Sequence, residues 1–124
     1  MNVRLLLICF IFLSCSAGRM TETSLYFGQS KPDGSIINEK EWNQFKEEYI
    51  LTTFLEGSSI IRVDGSWKDT VTHKVITEPV YMVIYYYRST PLMSKRIDSL
   101  RNQYIKRFQQ QSVLRVDKRV KASF

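Results

Sequence analysis

The strongest constraint on the fold is the run 80–87, in which every residue is apolar or aromatic and most favour β-strands. A continuous apolar run of this length predicts a strand that is buried on at least one face and lies in the interior of a sheet. No other stretch after the leader is as apolar. The remaining segments are therefore predicted to be neighbouring strands and helices that cover one face of the sheet.

Residues 1–17 have the three-part plan of a secretory signal peptide. Arg4 supplies the basic start, and the apolar run 5–13 is shorter than the roughly twenty residues that span a bilayer. Two cleavage positions fit the small residues that follow. Cleavage before Cys15, after a sequence that resembles a bacterial lipobox, leaves this cysteine for acylation with palmitate. Cleavage after Ala17 gives a protein without an anchor.

We favour a lipoprotein-type signal that is cleaved before Cys15, because the only other cysteine, Cys9, lies inside the leader. The expected location is then the bacterial cell envelope, with the exported protein held on a membrane through the lipid on Cys15. The other cleavage position predicts a soluble periplasmic or secreted protein. In either case the mature domain has no disulfide.

After a tether at 18–23, the length of the chain predicts a single α+β domain over 24–124. Asn38 with Glu41 forms a capping-box pattern at the start of the first helix, and Thr90 before a proline begins the second. The predicted strands are 24–28, 59–67, 80–87 and 112–117, and the predicted helices are 38–52 and 90–109.

The predicted order is strand, helix, strand, strand, helix, strand. With right-handed crossovers this order gives a four-stranded antiparallel sheet with two helices on one face, which is a ferredoxin-like βαββαβ sandwich. The first and third strands are its inner pair, which explains why 80–87 is so apolar. The second face of the sheet is left open to solvent or to a partner.

Charge is unevenly distributed along the chain. From Arg88 onward ten Lys and Arg residues stand against only Asp98 and Asp117, whereas 20–87 holds six basic and ten acidic residues. A basic surface of this kind attracts anionic lipid headgroups, nucleic acid or an acidic protein, although a solvated helix face is its commonest meaning.

The sequence contains no recognisable catalytic or metal-binding constellation. His73 is the only histidine, the glycines are isolated, and no cysteine thiol in the mature domain can act as a nucleophile. We therefore predict no catalytic residue, no metal and no cofactor, and we expect a protein that binds rather than an enzyme.

The open sheet face is the predicted interaction surface. Strand alternation places on it either Tyr81, Tyr85 and Tyr87 or the intervening Met82 and Tyr86, and a bulge at a nearby proline would exchange the two sets. The candidate surface residues are Tyr26, Arg62, Trp67, Tyr85, Gln111 and Arg115.

Aromatic side chains with arginine on an open sheet are typical of platforms for single-stranded nucleic acid. An exported protein rarely meets RNA, so we expect a protein partner or a second copy of the chain instead. The alternative interpretation is a small-ligand-binding protein or an enzyme with a pocket near Trp67 and Arg115.

Several motifs in a fixed order resemble those of a family of small bacterial exported proteins. They are Leu-Tyr-Phe-Gly-Gln-Ser at 25–30, Pro-Asp-Gly at 32–34, Trp42 with Phe45, Asp-Gly-Ser-Trp at 64–67, Tyr104 with Arg107 and Phe108, and Gln-Ser-Val-Leu-Arg-Val-Asp at 111–117. The family is catalogued as domain of unknown function thirty-five seventy-four, and its members are often labelled lipoproteins. The resemblance implies an exported single domain, and it implies no activity, cofactor or catalytic residue. The chain departs from the family at 66–67, where Gln-Trp is usual, and in its tyrosine-rich third strand.

Overall fold

The computed structural model describes residues 18–123, so the predicted signal peptide and Cys15 lie outside the described residues. The four strands form one antiparallel sheet in the order β2-β3-β1-β4, with β1 and β3 as the inner pair. The predicted ferredoxin-like architecture is therefore confirmed. The elements are β1 (Arg19–Gly28), α1 (Glu39–Phe45), β2 (Ser59–Lys68), β3 (Val75–Tyr87), α2 (Pro91–Phe108) and β4 (Leu114–Lys121).

The first strand begins earlier than the sequence suggested. Residues 19–23, which were expected to form a tether, belong to β1, so that expectation is wrong. The composition of these residues is polar and does not indicate a strand. They form one because β1 has a hydrogen-bonded strand on each side. Thr21 pairs with Tyr87 on β3 and with Arg119 on β4.

Both predicted helix starts are confirmed. The Asn38 side chain accepts a hydrogen bond from the Glu41 amide at 2.9 Å, and the Glu41 carboxylate accepts one from the Asn38 amide at 2.9 Å. This reciprocal pair satisfies two amides that the first turn leaves free. Thr90 caps α2 by accepting from the Met93 amide at 3.2 Å.

The end of the first helix differs from the regular helix predicted to 52. The α-helical part ends at Phe45, and a π-helical turn, Lys46–Ile50, continues it. The wider turn ends at Ile50, which is buried and whose carbonyl accepts a hydrogen bond from the Tyr85 hydroxyl at 2.9 Å. Thus a side chain of β3 holds the end of this turn.

The hydrophobic core lies between the helices and one face of the sheet. Phe27 is its centre, with ring centroids 5.9 Å from Trp42 of α1 and 4.7 Å from Tyr104 of α2. Phe45 adds a ring 5.0 Å from Tyr104, so both helices and β1 meet in one aromatic cluster. Edge-to-face pairs of this kind stabilise a core beyond the area that they bury.

Pro79 neither interrupts β3 nor forms a bulge. It pairs with Asp64 on β2, and its carbonyl, on the other side, accepts a hydrogen bond from the Gln29 amide at 3.0 Å. The amide nitrogen and carbonyl of a strand residue point to the same side, so the proline nitrogen faces the place where β1 has already ended. No ladder hydrogen bond is lost there, which is the condition under which a strand tolerates proline.

Candidate functional site: the open face of the sheet

The register of β3 decides which side chains reach the open face. Tyr81 points to the helices, where it stacks on Trp42 at 4.2 Å. Tyr85 and Tyr87 alternate with it and are buried on the same side. Met82 and Tyr86 therefore belong to the open face, which is the second of the two arrangements that alternation allowed.

The prediction that Tyr85 belongs to the exposed surface is wrong. Its side chain is fully buried, packs edge-on against Phe54 at 5.1 Å, and donates its hydroxyl to the Ile50 carbonyl. Burial raises the pKa of the Tyr85 hydroxyl well above its usual value, although a hydrogen bond with Thr53 lowers it somewhat. The residue is part of the core and takes no part in an exposed surface.

The open face is predominantly apolar across all four strands. Ile61 and Leu114, on the two outermost strands, are 45% and 58% exposed. Large apolar side chains that remain this exposed on one continuous surface mark an interaction site. The apolar members of the open face are Met20, Tyr26, Ile61, Val63, Trp67, Ile76, Val80, Met82, Ile84, Tyr86, Leu114, Val116 and Val120.

The few charges on this face are largely neutralised within the chain. Glu22 lies 3.5 Å from the Lys118 ammonium and accepts a hydrogen bond from the Tyr86 hydroxyl at 3.0 Å. That hydrogen bond raises the pKa of the Tyr86 hydroxyl. Glu78 accepts from the Ser30 amide at 3.0 Å. The face therefore presents apolar area without an exposed cluster of one sign.

Two glycines on the open face leave room for side chains of β3. A Cβ atom at Gly65 would lie 2.6 Å from a methyl group of Val80, and one at Gly28 would lie 2.8 Å from the Glu78 carboxylate. Side chains of β3 thus lie over the bare backbone of both neighbouring strands.

The six predicted surface residues do not form one site. Tyr26 and Trp67 lie on the open face, but Arg62 and Arg115 point to the side of the sheet that the helices cover. Gln111 is exposed in the loop after α2. Trp67 and Arg115 also belong to the two outermost strands, so the predicted pocket near them does not form. The open face of the described residues carries no arginine, and it lacks the cationic character of a nucleic-acid platform.

Arg115 has a structural role between β4 and α2. Its guanidinium lies 3.0 Å from Asp98 on the helix and 3.0 Å from Asp117 on its own strand, and it also donates to Ser94. Asp98 accepts a second hydrogen bond from Arg101 at 2.9 Å. Burial alone would raise the pKa of Asp98, but the hydrogen bonds from Arg101 and Arg115 outweigh it and lower the pKa.

Replacing Asp98 with asparagine is expected to cost about 0.5–1 kcal/mol of unfolding free energy at neutral pH, because the carboxylate is half-exposed. The folded state lowers the pKa of Asp98 below its usual value of 3.8. The stabilisation by its carboxylate is therefore complete at a pH above 3.8, and it is lost as the pH falls through the lowered pKa. Urea unfolding at neutral and acid pH measures both effects. Asp64→Asn, on an exposed carboxylate, is the control and should change little at either pH. A cost for Asp98→Asn that persists below the carboxyl range would contradict the ion-pair assignment.

A buried polar cluster around Gln29 and Tyr104 was not predicted from the sequence. Gln29 donates to the Phe27 carbonyl at 2.8 Å and to the Tyr104 hydroxyl at 2.9 Å, and that hydroxyl donates to the Gly28 carbonyl at 2.7 Å. Gln110 donates to the Ser30 carbonyl at 2.8 Å. Burial raises the pKa of the Tyr104 hydroxyl, so it remains a neutral donor. The cluster connects the end of β1 to α2. The Leu-Tyr-Phe-Gly-Gln-Ser motif at 25–30, which contains Gln29, was the sequence feature that pointed to it.

A cleft of about 340 Å³ lies between the π-helical turn and α2. Hydroxyl and amide groups and one guanidinium, that of Arg96, supply its polar character, and no carboxylate or histidine lines it. Paired acid and base groups are therefore missing there. The lining residues are Tyr49, Thr52, Thr53, Arg96, Ser99, Leu100 and Gln103.

Residues 18–123 contain neither a metal-binding cluster nor a membrane-spanning helix. In this range no group of three or more His, Cys, Asp or Glu residues is placed to hold a metal ion. No helix in the same range is long and apolar enough to cross a membrane.

Solved structures with a similar fold include a phage enzyme and a CutA protein. A phage SAM lyase in complex with S-methyl-5′-thioadenosine superposes with a TM-score of 0.65, at 13% identity over 82% of each chain. CutA from Synechococcus elongatus PCC7942, complexed with Bis-Tris, gives a TM-score of 0.52, at 9% identity over 86% of this chain and 84% of that one. At these identities the likeness shows the fold alone.

Comparison of the sequence with family models identifies the family of the chain. No curated protein sequence matches it significantly. A family model described as "Protein of unknown function (DUF3574)" matches residues 22–124, which include every strand and helix except the first residues of β1. The chain therefore belongs to the DUF3574 family, as the motifs from 25 to 117 indicated.

Proposed function

We propose that the protein is an exported, membrane-anchored module of the bacterial envelope that acts by binding rather than by catalysis, and that its open sheet face binds a second copy of the chain. The single observation that carries the binding role is the apolar surface that continues across all four strands. Water contact with a surface of this kind is unfavourable, and covering it is worth roughly 25 cal/mol per Å².

The size of the face supports a partner of the same kind. Four strands about 4.8 Å apart and about eight residues long give a flat area on the order of 500 Å². Side chains project from this plane, so the accessible area of the face is larger. It approaches the roughly 600–800 Å² that each partner buries in a specific interface. Two such sheets pack face to face with their inner side chains interdigitated.

The shape and charge of the face also favour self-association. A two-fold interface uses the same patch on both copies, so the patch must be complementary to itself. An apolar surface whose acidic group Glu22 is already paired with Lys118 meets this condition. A patch with one dominant charge would repel its own copy.

Sedimentation velocity of the domain from Gly18 to Phe124 tests this proposal. We expect a reversible dimer whose fraction rises with protein concentration. A photo-crosslinking amino acid placed at Met82, in the middle of the face, should join two copies of the chain. A matched probe at Lys40, on the exposed surface of α1, should not. A domain that stays monomeric at high concentration would refute the dimer.

Anchoring is tested separately by metabolic labelling with radioactive palmitate. We expect label in the wild-type protein and none in Cys15→Ala, because Cys15 supplies the N-terminal acceptor after cleavage. Cys9→Ala serves as the matched control, since this residue lies inside the leader, and it should retain the label. A wild-type protein without label would overturn the anchor and leave cleavage after Ala17.

A further inference from the structure

The end of the sheet where β1 begins is the point at which the chain enters the domain from its leader. Arg19, the first residue of β1, is four residues after Cys15. Four extended residues reach about 14 Å at most. A lipid on Cys15 would therefore hold this end of the domain, called the leader end below, close to the membrane.

The leader end carries a group of exposed cations. Arg19 is the cross-strand neighbour of Lys121, Arg119 lies two residue pairs further along, and Arg88 follows the last residue of β3. None of these four side chains forms an ion pair with another residue in the range 18–123. Their charges are available to an external anion.

Carboxylates near the leader end do not cancel these cations. Glu22 is paired with Lys118, and Asp117 with Arg115. Glu56 is exposed in the loop before β2 and is the one acidic group of that loop. The surface is therefore positive on balance, in agreement with the basic composition of the chain after β3.

Exposed leucines lie at the same end of the domain as the cations. The loop 51–58 reaches the leader end because Phe54 stacks on Tyr87 with ring centroids 4.7 Å apart. Leu55, the next residue, is fully exposed at 104%. Leu51 begins the same loop, and Leu92 lies in the first turn of α2; both are more than half exposed. Apolar side chains and basic residues at one end of a domain suit the boundary between lipid headgroups and acyl chains.

From this combination we propose that the leader end docks onto an anionic phospholipid surface, with the four cations on the headgroups and the leucines in the interface. The inference rests on the proposed anchoring at Cys15, because one lipid-linked point needs a second contact to fix an orientation. Electrostatic attraction contributes about a five-fold gain in affinity for each Lys or Arg near such a surface.

Docking at the leader end has a direct consequence for the open face. The strands end at the membrane and run away from it, so the face lies along their side and stays clear of the lipid. A partner in the same membrane can then approach the face laterally. Anchoring and sheet-to-sheet binding are thus compatible in one orientation.

Co-sedimentation with vesicles tests the docking surface without the anchor. The domain from Gly18 to Phe124 contains every strand and helix of the fold, and it is the chain that cleavage after Ala17 would release. We expect it to bind vesicles of phosphatidylcholine mixed with phosphatidylglycerol and not vesicles of phosphatidylcholine alone. The double substitution Arg119→Gln with Lys121→Gln should weaken binding by about 25-fold, from two losses of about five-fold.

A charge-matched control lies at the other end of the sheet. Lys68→Gln with Lys74→Gln removes the same charge, and it should change vesicle binding by less than about two-fold. Leu55→Gln, which alters no charge, should weaken binding several-fold and shows that the leucine enters the lipid. Equal losses in the two double variants, or no binding of the wild type to anionic vesicles, would overturn the proposal. Because this domain lacks Cys15, the result is independent of whether palmitate labels the full chain.

Discussion

Replacing Tyr85 with alanine is expected to lower the unfolding free energy by about 3–5 kcal/mol, the usual cost of deleting a buried aromatic side chain. The ring fills the space beside Phe54, and its loss also leaves the Ile50 carbonyl without its donor. An unsatisfied buried acceptor costs about 1–3 kcal/mol by itself, so Tyr85→Phe should show a smaller loss of this size. Urea unfolding followed by circular dichroism measures both variants.

The neighbouring Tyr86 provides the matched control. It is the same residue type one position along the same strand, but it lies on the open face, and its ring is more than a third exposed. Tyr86→Ala should therefore cost less than about 1 kcal/mol. If Tyr86→Ala were the damaging variant and Tyr85→Ala the mild one, β3 would be shifted by one residue and the two faces exchanged.

Replacing Ile61 with aspartate is expected to raise the dissociation constant of the proposed dimer by at least about 100-fold. Ile61 lies on the open face opposite Met82, and an aspartate there must be buried without a partner when two sheets pack together. The unfolding free energy of the monomer should change by only about 0.5 kcal/mol, because the substituted side chain is solvated before association. Sedimentation velocity and urea unfolding of the same sample separate the two effects.

The control for this variant introduces the same charge at an exposed apolar residue away from the face. Val71 lies in the turn between β2 and β3 and is largely exposed. Val71→Asp should leave the dissociation constant unchanged within about two-fold. A dimer that survives Ile61→Asp would show that the copies associate through another surface.

Much of the fold could be predicted because its signals are local. The capping box at Asn38, the Thr90 cap and the order of apolar segments depend on residues near one another in the chain, and each is confirmed. The start of β1 was missed because residues 19–23 have a polar composition. Their strand conformation comes from partners that lie more than sixty residues away.

The candidate site was harder to predict because periodicity cannot choose between two apolar faces. In β3 one alternate set contains Val83 and Tyr85, and the other contains Met82 and Ile84, so both sets look like a core. The choice comes from the pairing of Val83 with Leu25, which joins the apolar side of β1 to the helix-facing side of β3. Arg62 and Arg115 were misplaced for a related reason, since nothing in the sequence shows which side of an edge strand is covered.

The pairing of β1 also constrains when the protein can fold. Strand β1 is made first, but its two partners are β3 and β4, and Arg19 pairs with Lys121 near the end of the chain. Contacts between such distant residues form late, because the loop between them must close first. The native sheet therefore cannot be completed until nearly the whole domain has been synthesised. For the export proposed above, this arrangement delays completion of the sheet while the predicted leader is being recognised.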